Sequence, residues 1–138
     1  DLQANYNYGA FNGWFSEHTG LLALLSCAAL LVIASVLWYS LGRAPAPTIS
    51  FVVALSLLAG GTAGNFYDRL YLEAVRDWIK WYIVIDGKEH VWPNFNIADS
   101  GICVGVALVV LPELRTLFQK RKPDGKPPDP GANPSSPR

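Results

Sequence analysis

Three long apolar stretches divide the chain, with shorter mixed stretches before and between them. Leu21–Leu41 is 21 residues without a charge or a proline. As a helix it is about 31 Å long, the thickness of a bilayer core. Thr48–Tyr67 is a second uncharged run, rich in Val, Leu and Ala, and Ile97–Leu111 is a third that extends towards Phe118. These runs predict three membrane-spanning helices at about 21–41, 48–67 and 97–118, since so short a chain has too little polar sequence to cover them in water. The first run is too long, and starts too far along the chain, for the core of a signal peptide.

The intervening segments carry other patterns. Gln3–Phe15 is aromatic and turn-forming, which predicts short strands at the membrane surface. In Glu73–Tyr82, residues Val75, Trp78, Ile79 and Tyr82 recur at helical spacing, which predicts a short interfacial helix. Ile83-Val-Ile, Asp86-Gly and Val91-Trp predict a hairpin turning at Asp-Gly. Trp78, Trp81, Tyr82 and Trp92 suit a segment at the membrane–water interface.

The fold expected is therefore mainly α: an integral membrane helical bundle with a small β element and a short interfacial helix on its outer face. Residues 1–118 form the membrane-embedded domain. The stretch 119–138, rich in Pro, Gly, Ser and Asn, is a disordered tail.

Composition and charge narrow the function. Hydrophobic residues make up 51% of the chain and charged residues 16%, with eleven basic and eleven acidic side chains cancelling. Without a basic stripe, nucleic-acid binding is excluded. Cys27 and Cys103 both lie inside apolar runs, which excludes a disulfide scaffold and a cysteine-ligated zinc site. Arg43 in the turn after the first run, and Lys120, Arg121, Lys122 and Lys126 after the third, predict cytoplasmic locations for both by the positive-inside rule. The N-terminal segment and the Asp68–Phe95 loop then lie outside. The chain contains no methionine, from which a processed, trimmed or partial chain is expected.

Candidate chemistry sits near the ends of the runs. Asp99 lies in Phe95-Asn-Ile-Ala-Asp-Ser100, two residues into the third run. An ionisable group within a span is a functional candidate by default. Asn96 is also a good N-cap, and a carboxylate three residues on suits the helix dipole. In Gly60-Gly-Thr-Ala-Gly-Asn-Phe-Tyr-Asp-Arg69, Gly60 and Gly64 have the spacing of close helix packing, as do Gly101 and Gly105. Asn65 and Arg69, four apart, share a helix face. Arg69 is either a snorkelling anchor or a holder of a carboxylate or phosphate, and Asp68 reads as solvated. Asp77, in Val75-Arg-Asp-Trp-Ile79, read alone is an ordinary polar residue of an amphipathic helix. Asp77 and Asp99 nevertheless fall on the same side of the membrane. Two close carboxylates sharing one proton perform aspartic-protease chemistry, one as base on water and the other as acid on the carbonyl oxygen.

Four ordered blocks resemble one family. Gly61-Thr-Ala-Gly-Asn-Phe-Tyr-Asp-Arg69, Val75-Arg-Asp-Trp-Ile79 and Phe95-Asn-Ile-Ala-Asp-Ser100 resemble, in that order, the signature blocks of bacterial lipoprotein signal peptidase (signal peptidase II), and Tyr6-Asn-Tyr-Gly-Ala-Phe11 resembles an earlier block. The resemblance runs from about Asn5 to Leu117. It implies an inner-membrane aspartyl protease that removes the signal peptide of a diacylglyceryl-modified prolipoprotein just before the lipidated cysteine, with no cofactor and no metal. It implies catalytic roles for Asp77 and Asp99, and site-arranging or substrate-binding roles for Asn7, Asn65, Arg69 and Asn96. The family has four spans, so a first span is expected to precede Asp1. The first block here reads Gly-Ala-Phe where the family usually has Gly-Ala-Ala-Phe. Within the dyad, Asp99 is the expected ionised base and Asp77 the protonated partner, because only Asp99 sits at a helix N-terminus.

Other readings compete. A metal-dependent membrane hydrolase would use His18 and His90, which have no ligand-like spacing. A non-catalytic membrane subunit, or a lipoprotein-binding homologue that does not cut, would use Asp99 and Arg69 for assembly.

Overall fold

The computed structural model describes residues 2–9 and 15–120. The tail expected over 119–138, and most of the Gly-Ala-Phe block, thus lie largely outside the described residues. In chain order the elements are strand β1 (Leu2–Asn7), a 3₁₀ turn (Ser16–His18), helix α1 (Thr19–Leu41), helix α2 (Ile49–Leu72), strands β2 (Val75–Ile79), β3 (Tyr82–Ile85) and β4 (Lys88–Val91), and helix α3 (Ile97–Lys120).

All three helices are long and apolar enough to cross a membrane. Their starts and stops have local causes. The Thr48 hydroxyl caps α2 by accepting from the Phe51 N–H at 3.2 Å. At the other end Glu73 adopts a left-handed conformation (φ 55°) that stops the helix. Gly42 closes α1, its N–H donating to the Trp38 carbonyl at 3.2 Å. In α3 the helix continues past Pro112 to Lys120.

α2 is the central helix, packed on α1 and on α3. The α2–α3 seam is built from small residues. A Cβ on Gly61 would overlap the Ala98 carbonyl oxygen, and one on Gly105 would lie 2.9 Å from the Ala54 carbonyl and 2.8 Å from Leu58 Cγ. Gly64 and Gly101 line the same contact less tightly. The expected Gly60–Gly64 pair is thus corrected to Gly61 and Gly64: a Cβ on Gly60 would meet nothing within 4 Å, because Gly60 lies one helical step, about 100°, from Gly61, where the helices approach most closely. Backbones must approach closely here because lipid tails supply no hydrophobic drive between helices. The large side chains point outward, as Leu24, Trp38, Ile49 and Leu111 show. Among the described residues the buried apolar side chains are few, while Asn65, Asp68, Asp77 and Asn96 are all buried.

The strands sit at the end of the bundle where α2 stops and α3 starts. β1 pairs antiparallel with β2, matching Asn5 with Asp77, Tyr6 with Arg76 and Asn7 with Val75. This corrects the short helix expected over Glu73–Tyr82. Val75 and Asp77 are buried while Arg76 between them is exposed, the alternation of a strand. The helical spacing of Val75, Trp78, Ile79 and Tyr82 is coincidental, because β1, some seventy positions earlier, satisfies the backbone instead. Ile79 then exchanges backbone hydrogen bonds with Phe95, which leads the chain into α3. β3 and β4 form the expected hairpin. Asp86 (φ 51°) and Gly87 (φ 73°) turn it, both in the left-handed region that a two-residue turn matched to strand twist demands.

Candidate active site

Four parts of the chain together deliver five polar side chains to the same place. β1 supplies Asn7, α2 Asn65, β2 Asp77, and the start of α3 Asn96 with Asp99. Asn96 is the hub. Its Nδ2 donates to Asp77 Oδ1 at 3.1 Å and to Asn65 Oδ1 at 3.0 Å, and its Oδ1 accepts from the Asp99 N–H at 2.9 Å. Its own N–H donates to Asp99 Oδ2 at 3.0 Å. Asn96 and Asp99 thereby form a reciprocal capping box on α3. Asn65 Nδ2 donates to Asp99 Oδ1 at 2.7 Å. The result is a continuous path, Asp77–Asn96–Asn65–Asp99, between two carboxylates 22 positions apart in sequence.

Asn7 completes the surroundings of Asp77, donating from Nδ2 to Oδ2 at 2.9 Å while its Oδ1 accepts from the Gly9 N–H. Asp77 is buried, and Asp99 is half-buried. A cleft of about 290 Å³ lined by Tyr6, Asn7, Tyr8, Pro93 and Asn94 reaches Asp77 from the β1 side. Burial pushes the Asp77 carboxyl above the usual carboxylate range, and the charge of Asp99 adds to that push. The hydrogen bonds from Asn7 and Asn96 and the charge of Arg69 oppose it.

Arg69 lies next to this cluster. Its Nη1 donates to the Asn65 carbonyl at 3.4 Å and its Nη2 to the Gly9 carbonyl at 3.3 Å. Its Nε is buried without a partner among the described residues. The guanidinium therefore ties the end of β1 to α2. Among the described residues it forms no ion pair with Asp99 of the kind the assembly reading needs; the Asp99 oxygens accept from Asn65 and Asn96.

All six expected residues, Asn7, Asn65, Arg69, Asp77, Asn96 and Asp99, are thus brought to one end of the α2–α3 pair. Asp68 departs from its expected solvated state. It is buried and accepts three hydrogen bonds from Arg76: from Nη2 at 2.7 Å, from Nε at 3.1 Å and from the backbone N–H at 3.1 Å. The one signal in the sequence was an acid and a base of opposite charge on either side of a short break in the apolar pattern. A second cavity, of about 390 Å³, lies beside this pair, with Gly64, Tyr67, Trp78 and Ala98 in its walls.

The described residues contain no group of three or more His, Cys, Asp or Glu side chains able to hold a metal ion. What the cluster offers is a pair of carboxylates joined through two amides, in a setting that raises one of them.

The chain is similar to known proteins. Residues 1–115 match the family model described as signal peptidase (SPase) II. A lipoprotein signal peptidase of Teredinibacter turnerae is 39% identical over 109 residues, covering 76% of this chain and 60% of the relative. One from Vibrio cholerae is 36% identical over 110 residues, covering 80% and 62%. The chain thus spans about three-fifths of the length of these curated relatives. Among solved structures, a bacterial membrane enzyme determined by the in meso method at 2.3 Å resolution superposes with a TM-score of 0.67 at 25% identity, covering 89% of this chain and 70% of that one. A second, at 1.9 Å, gives 0.61 at 26% identity. With the family model matched over residues 1–115 and relatives at 36–39% identity, the chain belongs to the signal peptidase II family.

Proposed function

We propose that this protein is a membrane aspartyl endopeptidase that removes the signal peptide from diacylglyceryl-modified prolipoproteins, cutting just before the lipidated cysteine. The observation that carries this reading is the path Asp77–Asn96–Asn65–Asp99, which holds two aspartates on one polar network at the end of a helix pair. The relatives bear the name lipoprotein signal peptidase, which supports the same substrate class here.

Asp99 acts as the base. It sits in the first turn of α3 and accepts hydrogen bonds from Asn65 and from the Asn96 N–H, which hold its two oxygens in place. Asp77, raised by burial, carries the shared proton. Asp99 takes a proton from water as its oxygen adds to the scissile carbonyl carbon, and Asp77 donates its proton to the carbonyl oxygen. The tetrahedral intermediate collapses as the carbonyl re-forms and returns its proton to Asp77. The C–N bond breaks, and the proton on Asp99 passes to the leaving amine. Asn7, Asn65, Asn96 and Arg69 position these groups. Because the site lies at the end of three apolar helices, the lipid of the substrate cysteine stays in the bilayer while water reaches the peptide bond. The positive-inside pattern supports an inner-membrane location with the site on the outer face and the C-terminal tail in the cytoplasm.

A gel-shift cleavage assay tests this. The purified full chain is incubated with diacylglyceryl-modified prolipoprotein beside Asp77→Asn and Asp99→Asn. Cleavage before the lipidated cysteine, abolished by either substitution, is the expected result. A folded wild-type chain that binds the substrate without cutting it, both as it stands and with a first span restored before Asp1, would bring the binding-homologue reading to the front.

A further inference from the structure

The last turn of α2 grips both strands that carry the site. Arg69 reaches the carbonyl of Gly9, just beyond β1. Its neighbour Asp68 takes both the fork of Arg76 and the Arg76 backbone N–H, at the head of β2. Arg76 immediately precedes Asp77. On a strand adjacent side chains point to opposite faces, so the residue that Asp68 holds on one face aims Asp77 into the polar network on the other. Between them the chain turns sharply through Glu73, with its positive φ, and the buried Ala74.

As a source of stability this pair is modest. The Arg76 side chain is 57% exposed, and ion pairs near water contribute little. The geometry is far more demanding. Asp68 is only 8% exposed, and three converging donors leave its carboxylate one orientation. The pinned N–H fixes the backbone one residue before Asp77, whose oxygens must meet Asn7 and Asn96 at 2.9 and 3.1 Å. A planar five-donor fork can do this, and a point-charge ammonium cannot.

We infer that the Asp68–Arg76 clasp is a positioning pair that sets the placement of Asp77 in its hydrogen-bonded network. This rests on the peptidase reading for its effect on rate, but not for its effect on Asp77 itself. The charged groups facing Asp77 are Asp99 from α3 and Arg69 from α2; β1 contributes the neutral Asn7. Arg76→Lys leaves all of these charges and the net charge of the clasp unchanged while removing the fork.

The test compares wild type, Arg76→Lys and Asp68→Glu as full chains in detergent or nanodiscs. Two quantities are read below the melting transition: cleavage kinetics per folded protein, and titration of the Asp77 carboxyl by ¹³C NMR. Both variants are expected to lower kcat about tenfold with KM within about twofold, the signature of a misplaced reacting group. Both are also expected to move the Asp77 titration to lower pH, as a loosened β2 admits water. Unchanged kcat per folded protein with an unmoved titration would overturn the inference and leave the clasp a purely structural tie, as would a change confined to KM. Should one variant fail to fold, the other carries the same expectation. A folded wild type that does not cleave, even with a first span restored before Asp1, sinks the peptidase reading instead; the clasp is then decided by whether the Asp77 titration falls in the variants.

Discussion

Asn96 donates one amide hydrogen to Asp77 and the other to Asn65, while its carbonyl oxygen caps the helix that carries Asp99. Every polar atom of this side chain is therefore engaged, and the same residue starts α3 and joins the two aspartates. Helix capping and assembly of the site are one structural event.

Replacing Asn96 separates its two roles. Asn96→Ala removes the cap and strands Asp77 Oδ1 and Asn65 Oδ1. A destabilisation of about 2–4 kcal/mol is expected from the cap and the buried unmet acceptors together. Asn96→Asp keeps a capping oxygen but sets a third carboxylate against Asp77. It should retain α3 and still abolish cleavage. Unfolding monitored in detergent, beside the gel-shift assay, reads both; an active Asn96→Asp would contradict the arrangement.

The raised Asp77 carboxyl gives stability a definite pH dependence. Its reference value is 3.8, and the folded value lies above that. Between the two, the folded chain binds more protons than the unfolded one, so the Asp77 contribution becomes less favourable as pH rises through this window and levels off above the folded value. Asp77→Asn removes the titration. The stability of the variant relative to wild type should therefore climb as pH rises from about 4 and then plateau. Parallel unfolding curves for the two proteins across that range would show that Asp77 is not raised.

The helix seam predicts a sharp contrast between neighbouring glycines. Gly61→Ala drives a Cβ into the Ala98 carbonyl and to 2.7 Å from Ile102 Cγ1. Overpacking of this kind costs about 1–3 kcal/mol. At Gly60 the added methyl meets open space, so Gly60→Ala should be neutral or slightly stabilising through helix propensity. Comparing the unfolding of the two variants decides the matter, and equal effects would mean that α2 presents a different face to α3.

Two carboxylates sharing a proton need no metal. Cleavage by the purified chain is expected to proceed at an unchanged rate after exhaustive treatment with a divalent-metal chelator. A loss of rate restored by adding back a metal ion would move the chemistry away from the dyad.

The parts legible in the sequence are those whose causes are local. Uninterrupted apolar length marks three helices, Asn96 followed by Asp99 marks the start of the third, and Asp86-Gly87 marks the hairpin. Each depends on residues within a few positions of one another, or on composition alone. Ordered motifs, through resemblance, also named the six residues that the structure gathers at one end of the α2–α3 pair. What Asp77 touches is a different kind of fact. Val75–Ile79 reads as an amphipathic helix until β1 pairs with it, and Asp68 reads as solvated until Arg76 folds back onto it across the Glu73 turn. The register of α2 on α3 rests on Gly61 rather than Gly60, a difference of one step that decides whether Asn65 can reach Asp99. Backbone pairing and helix rotation are settled by contacts between residues 8 to 77 positions apart. Such contacts leave no periodicity in the chain, so only the tertiary structure decided them.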